Sequence, residues 1–107
     1  MSRESLGHFE LLVLLALLRV GEEAYGVPIA NEISESTGKR VILASVYNTL
    51  ERLEEKGFVT STVGEPTSER GGRAKRYFSI TTAGLREVRT AKKALTVLWR
   101  GIPVHEG

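Results

Sequence analysis

Ser45, Tyr47, Asn48 and Arg52 place a hydroxyl, a phenol, an amide and a guanidinium within two turns of a helix-forming segment. Farther on, Arg70, Arg73, Lys75 and Arg76 crowd around the flexible pair Gly71-Gly72. Asparagine pairs bidentately with adenine, arginine with guanine or phosphate, and hydroxyls with phosphate oxygens. The chemistry on offer is therefore hydrogen bonding and charge neutralisation on a polyanion, not bond-making.

No catalytic constellation competes with that reading. The two histidines, His8 and His105, lie near opposite termini, cysteine and aspartate are missing, and all thirteen acids are glutamates. A Ser-His-Asp or Cys-His unit cannot be assembled, and no cluster has metal-ligand spacing. Gly71-Gly72 sits inside a hairpin, not in the strand-to-helix turn of a phosphate loop. The expectation is no enzyme, no cofactor and no metal.

The charge is uneven. Net charge is +2 over 107 residues, but residues 1–38 hold two basic groups and six glutamates, whereas residues 39–107 hold thirteen basic groups and seven glutamates. A polyanionic partner for the later part of the chain fits this asymmetry. An acidic protein surface meeting the same cations is the rival reading. The apolar run Phe9 to Leu18 is too short to span a bilayer. Arg3 followed by Glu4, with no small-residue cleavage site after the run, argues against a signal peptide. With no cysteine, a cytoplasmic, reducing compartment is expected and no membrane partner.

These groups need elements to hold them. HFELLVLLALLRV predicts a first helix that is apolar on every side, to be covered either wholly within its own chain or, through Phe9 and Leu12, by a second chain. Gly21 ends it. A second helix runs from about Pro28 to Thr37, with Val27, Ile29, Ala30 and Ile33 inward and Gly38 as its stop. A third begins near Ala44 or Ser45, with Val46, Leu50 and Leu53 on one narrow face and Gly57 at its end. Its opposite face carries Ala44, Asn48, Arg52 and Glu55, with Ser45 to one side and Tyr47 and Glu51 to the other.

Period-two patterning over Val59 to Val63 and Lys75 to Thr81 then predicts two strands around the tip GEPTSERGGR, with Phe58, Phe78 and Ile80 toward the core. Thr81 or Thr82 caps a fourth helix reaching about Arg100. Along it Val88, Ala91, Leu95, Leu98 and Ile102 form a three-four seam, widened by Trp99, that suits pairing with a second copy. The fold class expected is α+β, mainly α. Residues 1–81 would form the nucleic-acid-binding unit and 82–107 a dimerisation helix and tail.

Several residues keep two readings. Tyr47 either bonds a phosphate at a groove edge or completes the core beside the second helix. Asn48 reads a base or is merely solvated. Arg52 meets phosphate or guanine unless Glu51 or Glu55 neutralises it, and phosphate is favoured. Lys39 and Arg40 touch phosphates or water. Trp99 anchors an interface or lines a pocket for a small aromatic effector.

SVYNTLERLEEKGFV coupled to GGRAKRYFSITTAG resembles the PadR family of winged-helix transcriptional regulators, and the likeness extends over about residues 8–100. It implies a winged helix-turn-helix with three helices, a two-stranded β wing and a C-terminal dimerisation helix. It also implies a homodimer that represses from a pseudo-palindromic double-stranded DNA operator. By position, Tyr25 falls at the start of the second helix, Ser45, Tyr47 and Asn48 at the start of the recognition helix, and Gly72, Arg73 and Lys75 in the wing. Two departures stand out. Leu43-Ala44 occupies a stretch where many members carry proline, and a single C-terminal helix replaces a longer helical domain.

Overall fold

The computed structural model describes residues 6–64 and 75–103. In chain order they form α1 (His8–Val20), a 3-10 turn (Gly21–Glu23), α2 (Gly26–Thr37), α3 (Leu43–Glu55), β1 (Val59–Val63), β2 (Arg76–Ile80) and α4 (Thr82–Trp99). This is a mainly helical winged helix-turn-helix. The antiparallel ribbon pairs Val59 with Ile80, Ser61 with Phe78 and Val63 with Arg76.

α1 is the centre of the molecule, packed against α2, α3, β2 and α4. Val13, Leu14, Ala16 and Leu17 are buried there, whereas Leu15 and Leu18 are each 40% exposed. Its apolar circumference is thus not wholly covered by its own chain. Phe9 and Leu12 are half-buried against the core.

α2 buries Gly26, Ile29, Ala30 and Ile33. Val27 was expected to face inward and does not; it is 42% exposed. The helix begins at Gly26, two residues before Pro28. At 100° per residue the stripe through 26, 29, 30 and 33 leaves position 27 more than a quarter-turn away.

α3 starts one residue earlier than the sequence pattern suggests, at Leu43 after Ile42. Its end is a Schellman turn. Phe58 N–H donates to Leu53 O at 2.9 Å and Gly57 N–H to Glu54 O at 3.0 Å, with Gly57 at φ 82°. Leu53 and Phe58 are both buried, so the turn hands the chain from helix core to ribbon core.

Thr81 caps α4 as expected: its Oγ1 accepts from Gly84 N–H at 3.0 Å and donates to Gly57 O at 2.7 Å. Gly84 lies so close to Phe58 that a β-carbon there would stand 2.2 Å from the Phe58 carbonyl oxygen. The first turn of α4 is therefore seated directly on the α3–β1 corner. Beyond Ala91 the helix leaves the body, and residues 92–100 are all exposed. No helix among the described residues is long and apolar enough to cross a membrane.

Candidate nucleic-acid interface

α3 divides its side chains cleanly. Val46, Thr49, Leu50 and Leu53 are buried, while Ala44, Ser45, Asn48, Glu51 and Arg52 are exposed. Ser45 and Asn48 thus stand on the open face that the sequence assigns them.

Tyr47 lies at the edge of that face, 38% exposed. Its ring covers the first turn of α2: a β-carbon on Gly26 would meet Tyr47 Cζ at 2.2 Å and the hydroxyl oxygen at 2.5 Å. With the ring in this position there is no room for a β-carbon at Gly26. The residue thereby packs beside α2 and keeps part of its ring in solvent, joining features of both sequence readings.

Tyr25 is the N-cap residue of α2 and has no side-chain capping bond. Tyr77 of β2 meets it edge-on, with ring centroids 5.7 Å apart. Lys75 Nζ sits 5.2 Å from the Tyr25 ring centroid, a cation–π contact at an exposed site. Phe78 N–H donates to Ala24 O at 2.8 Å, fixing the root of the ribbon beside the start of α2. All three tyrosines of the chain therefore gather where α2, α3 and the ribbon meet. Tyr25, Tyr47 and Lys75 are brought together. Tyr77 and Gly26 were not singled out from sequence, because neither carries a local signal of a neighbour so distant along the chain.

Arg52 is held from a direction the sequence did not suggest. Its terminal nitrogen donates to Thr49 Oγ1 at 3.2 Å, and its Nε lies 3.6 Å from Glu10 Oε2. The carboxylate beside it is Glu10, not Glu51 or Glu55. Glu10 is itself buried, accepting from Gly7 N–H at 2.8 Å and from Lys56 Nζ at 2.9 Å on both oxygens. Burial disfavours its charge, but the Gly7 amide, Lys56 and Arg52 outweigh burial and hold its pKa below the ordinary glutamate value. Arg76 is likewise engaged at the ribbon, ion-paired to Glu54 and donating to Ser61 Oγ at 3.0 Å.

Lys39 and Arg40 are exposed in the connection between α2 and α3. Gly72 and Arg73, with Arg70, lie outside the described residues.

The expected seam of α4 splits in two. Val88 is only 6% exposed and belongs to the chain's own core, which corrects its placement at an interface between copies. Here α4 still rests on the body, so the inward side of the stripe is already covered. Ala91 is half-buried at the point of departure. Leu95, Leu98, Trp99 and Ile102 are all exposed, Leu98 by 72%. Trp99 borders an open groove with Leu95, Thr96 and Arg100.

Taken as a surface, the α3 face, the tyrosine junction and Lys75 offer hydrogen-bonding groups flanked by cations. Among the described residues no three metal-ligating side chains converge.

Solved structures share this architecture. A PadR family transcriptional regulator from Eggerthella lenta DSM 2243 is 28% identical, with a TM-score of 0.66 over 84% of this chain and 76% of that one. A transcriptional regulator from Clostridium thermocellum is 22% identical, with a TM-score of 0.71 over 86% and 84%. A PadR family transcription regulator from Clostridium difficile R20291 is 20% identical, with a TM-score of 0.69 over 86% and 91%. The latter two likenesses are of fold alone. No curated protein sequence matches the chain. The family described as "Transcriptional regulator PadR-like family" matches residues 14–90, from the middle of α1 well into α4, and the chain belongs to that family of transcriptional regulators.

Proposed function

We propose that this regulator is a homodimeric repressor whose two α3 helices enter the major groove of a pseudo-palindromic operator. The observation that carries the reading is the open face of α3, where Ser45 and Asn48 are exposed while the other side of the same helix is buried. An α-helix fits the major groove and its first turns meet base edges there. In this reading Tyr25, Tyr47, Lys39, Arg40 and Lys75, with Gly72 and Arg73 of the wing, meet the flanking phosphates. Arg52 contributes at the groove edge while paired to Glu10.

The exposed end of α4 supports the dimer. Two helical turns beyond Ala91 are uncovered by their own chain, and isolated helical segments of that length are marginal in water. Leu95, Leu98, Trp99 and Ile102 give them an apolar stripe to share with a second copy, aided by Phe9, Leu12, Leu15 and Leu18 of α1. Residues 1–81 then bind DNA and 82–107 join the copies. If three or four cations per protomer touch phosphates, a dimer neutralises roughly 6–8, and the log–log salt slope is about −5 to −7.

Sequence-selective, salt-dependent retardation of duplexes chosen from random DNA tests the proposal. A protein-interaction module would bind every duplex weakly and alike. Repression is relieved, in this reading, by a small aromatic effector beside Trp99, the chain's single tryptophan. Emission from Trp99 that stays constant at saturating planar aromatic compounds removes that last element.

A further inference from the structure

The first two turns of α3 carry no cation. No lysine or arginine occurs between Leu43 and Glu51, and Arg52, the next in sequence, is engaged by Thr49 and Glu10. The commonest specific base contact is arginine or lysine to guanine, and the first two turns of this helix cannot make it.

What those turns expose is the Ser45 hydroxyl, part of the Tyr47 ring, the Asn48 amide and an apolar end. Ile42 is 66% exposed at the N-cap, Leu43 follows it partly exposed, and Ala44 is exposed one turn before Asn48 on the same stripe. Three apolar side chains in water at a helix start, two residues after the exposed cations Lys39 and Arg40, are matched to a surface that is apolar in spots and anionic around them. The major groove at thymine is such a surface, with its 5-methyl group between phosphate-lined walls.

We infer that this chain reads A·T pairs: Asn48 pairs with adenine N6 and N7, and the Ile42-Leu43-Ala44 end contacts thymine 5-methyl groups in the same half-site. The inference rests on the reading that α3 enters the major groove. It adds the base identity and the chemical group that is recognised.

The test uses the unaltered protein and a duplex it selects from random DNA. Thymines are replaced one at a time by deoxyuridine, which removes only the methyl group, and affinity is measured by fluorescence anisotropy. At one or more positions per half-site the loss should be about fourfold, the equivalent of ~0.8 kcal/mol for one buried methylene. A Leu43→Ala or Ile42→Ala variant should lose that thymine preference at the same position while still binding. Replacing the paired adenine by 7-deazaadenine should weaken the unaltered protein and leave Asn48→Ala indifferent. Selective binding that is insensitive to uracil at every position overturns the inference and leaves the groove reading standing. So does a half-site whose α3 contacts are all G·C pairs. Failure to select any duplex overturns the groove reading itself and the inference with it.

Discussion

Lys56 donates to both carboxylate oxygens of Glu10 at 2.9 Å, tying the end of α3 to the first turn of α1 across 46 residues of chain. Glu10→Gln keeps the shape and removes the charge. It should destabilise the fold by about 1–3 kcal/mol at neutral pH, a fall in Tm of several degrees. The folded-state pKa of Glu10 is lowered from 4.5, so its contribution is fully present above that value and is lost as pH falls through the lowered one. Thermal scans of the two proteins should therefore differ at pH 7 and converge in acid. A gap that stays constant down to pH 2 contradicts this assignment.

Gly26→Ala drives a β-carbon into the ring of Tyr47 and should cost about 1–3 kcal/mol. The same change made in a Tyr47→Ala background should be close to neutral, because the obstruction is gone. Urea unfolding of the four proteins gives the coupling directly. Equal costs in both backgrounds would show that the contact is not what demands glycine.

Lys75 sits on the Tyr25 ring at the root of the ribbon. Lys75→Ala should weaken binding to all duplexes alike and reduce the salt slope by about one for each phosphate it no longer neutralises. Lys75→Arg should keep the slope. A change in sequence preference with an unaltered slope is the outcome that argues against a phosphate role.

Leu98 and Val88 lie on one helix and should fail in different ways. Leu98→Glu places a charge on a side chain that is 72% exposed. It should leave Tm at low concentration nearly unchanged, convert the protein to monomers in sedimentation, and reduce operator affinity more than tenfold. Val88→Ala should instead lower stability by about 1.5 kcal/mol or more with the dimer intact. Identical behaviour of the two variants would remove α4 from the interface.

Local features of this fold were legible and distant ones were not. Gly57 and Thr81 end and begin helices through bonds within a few residues, and such bonds leave a mark in the sequence. The open face of α3 was legible because Val46, Leu50 and Leu53 fix its phase. Val88 was misread because one three-four repeat runs unbroken through two surroundings, first against the body and then away from it. Nothing in the periodicity marks where α4 departs. Nothing local in the sequence marks the role of Glu10, since Lys56 and Arg52 reach it only after α3 has folded back onto α1. For the same reason the sequence points only to Glu51 and Glu55, the helical neighbours of Arg52, as its partners.

The Thr81 hydroxyl serves two masters: it closes the first turn of α4 and grasps the Gly57 carbonyl where α3 stops. The start of α4 and the end of α3 consequently share one anchoring hydroxyl. In the proposed pair, a small swing between the two arms would be delivered to the duplex as a change in the distance between the two α3 helices.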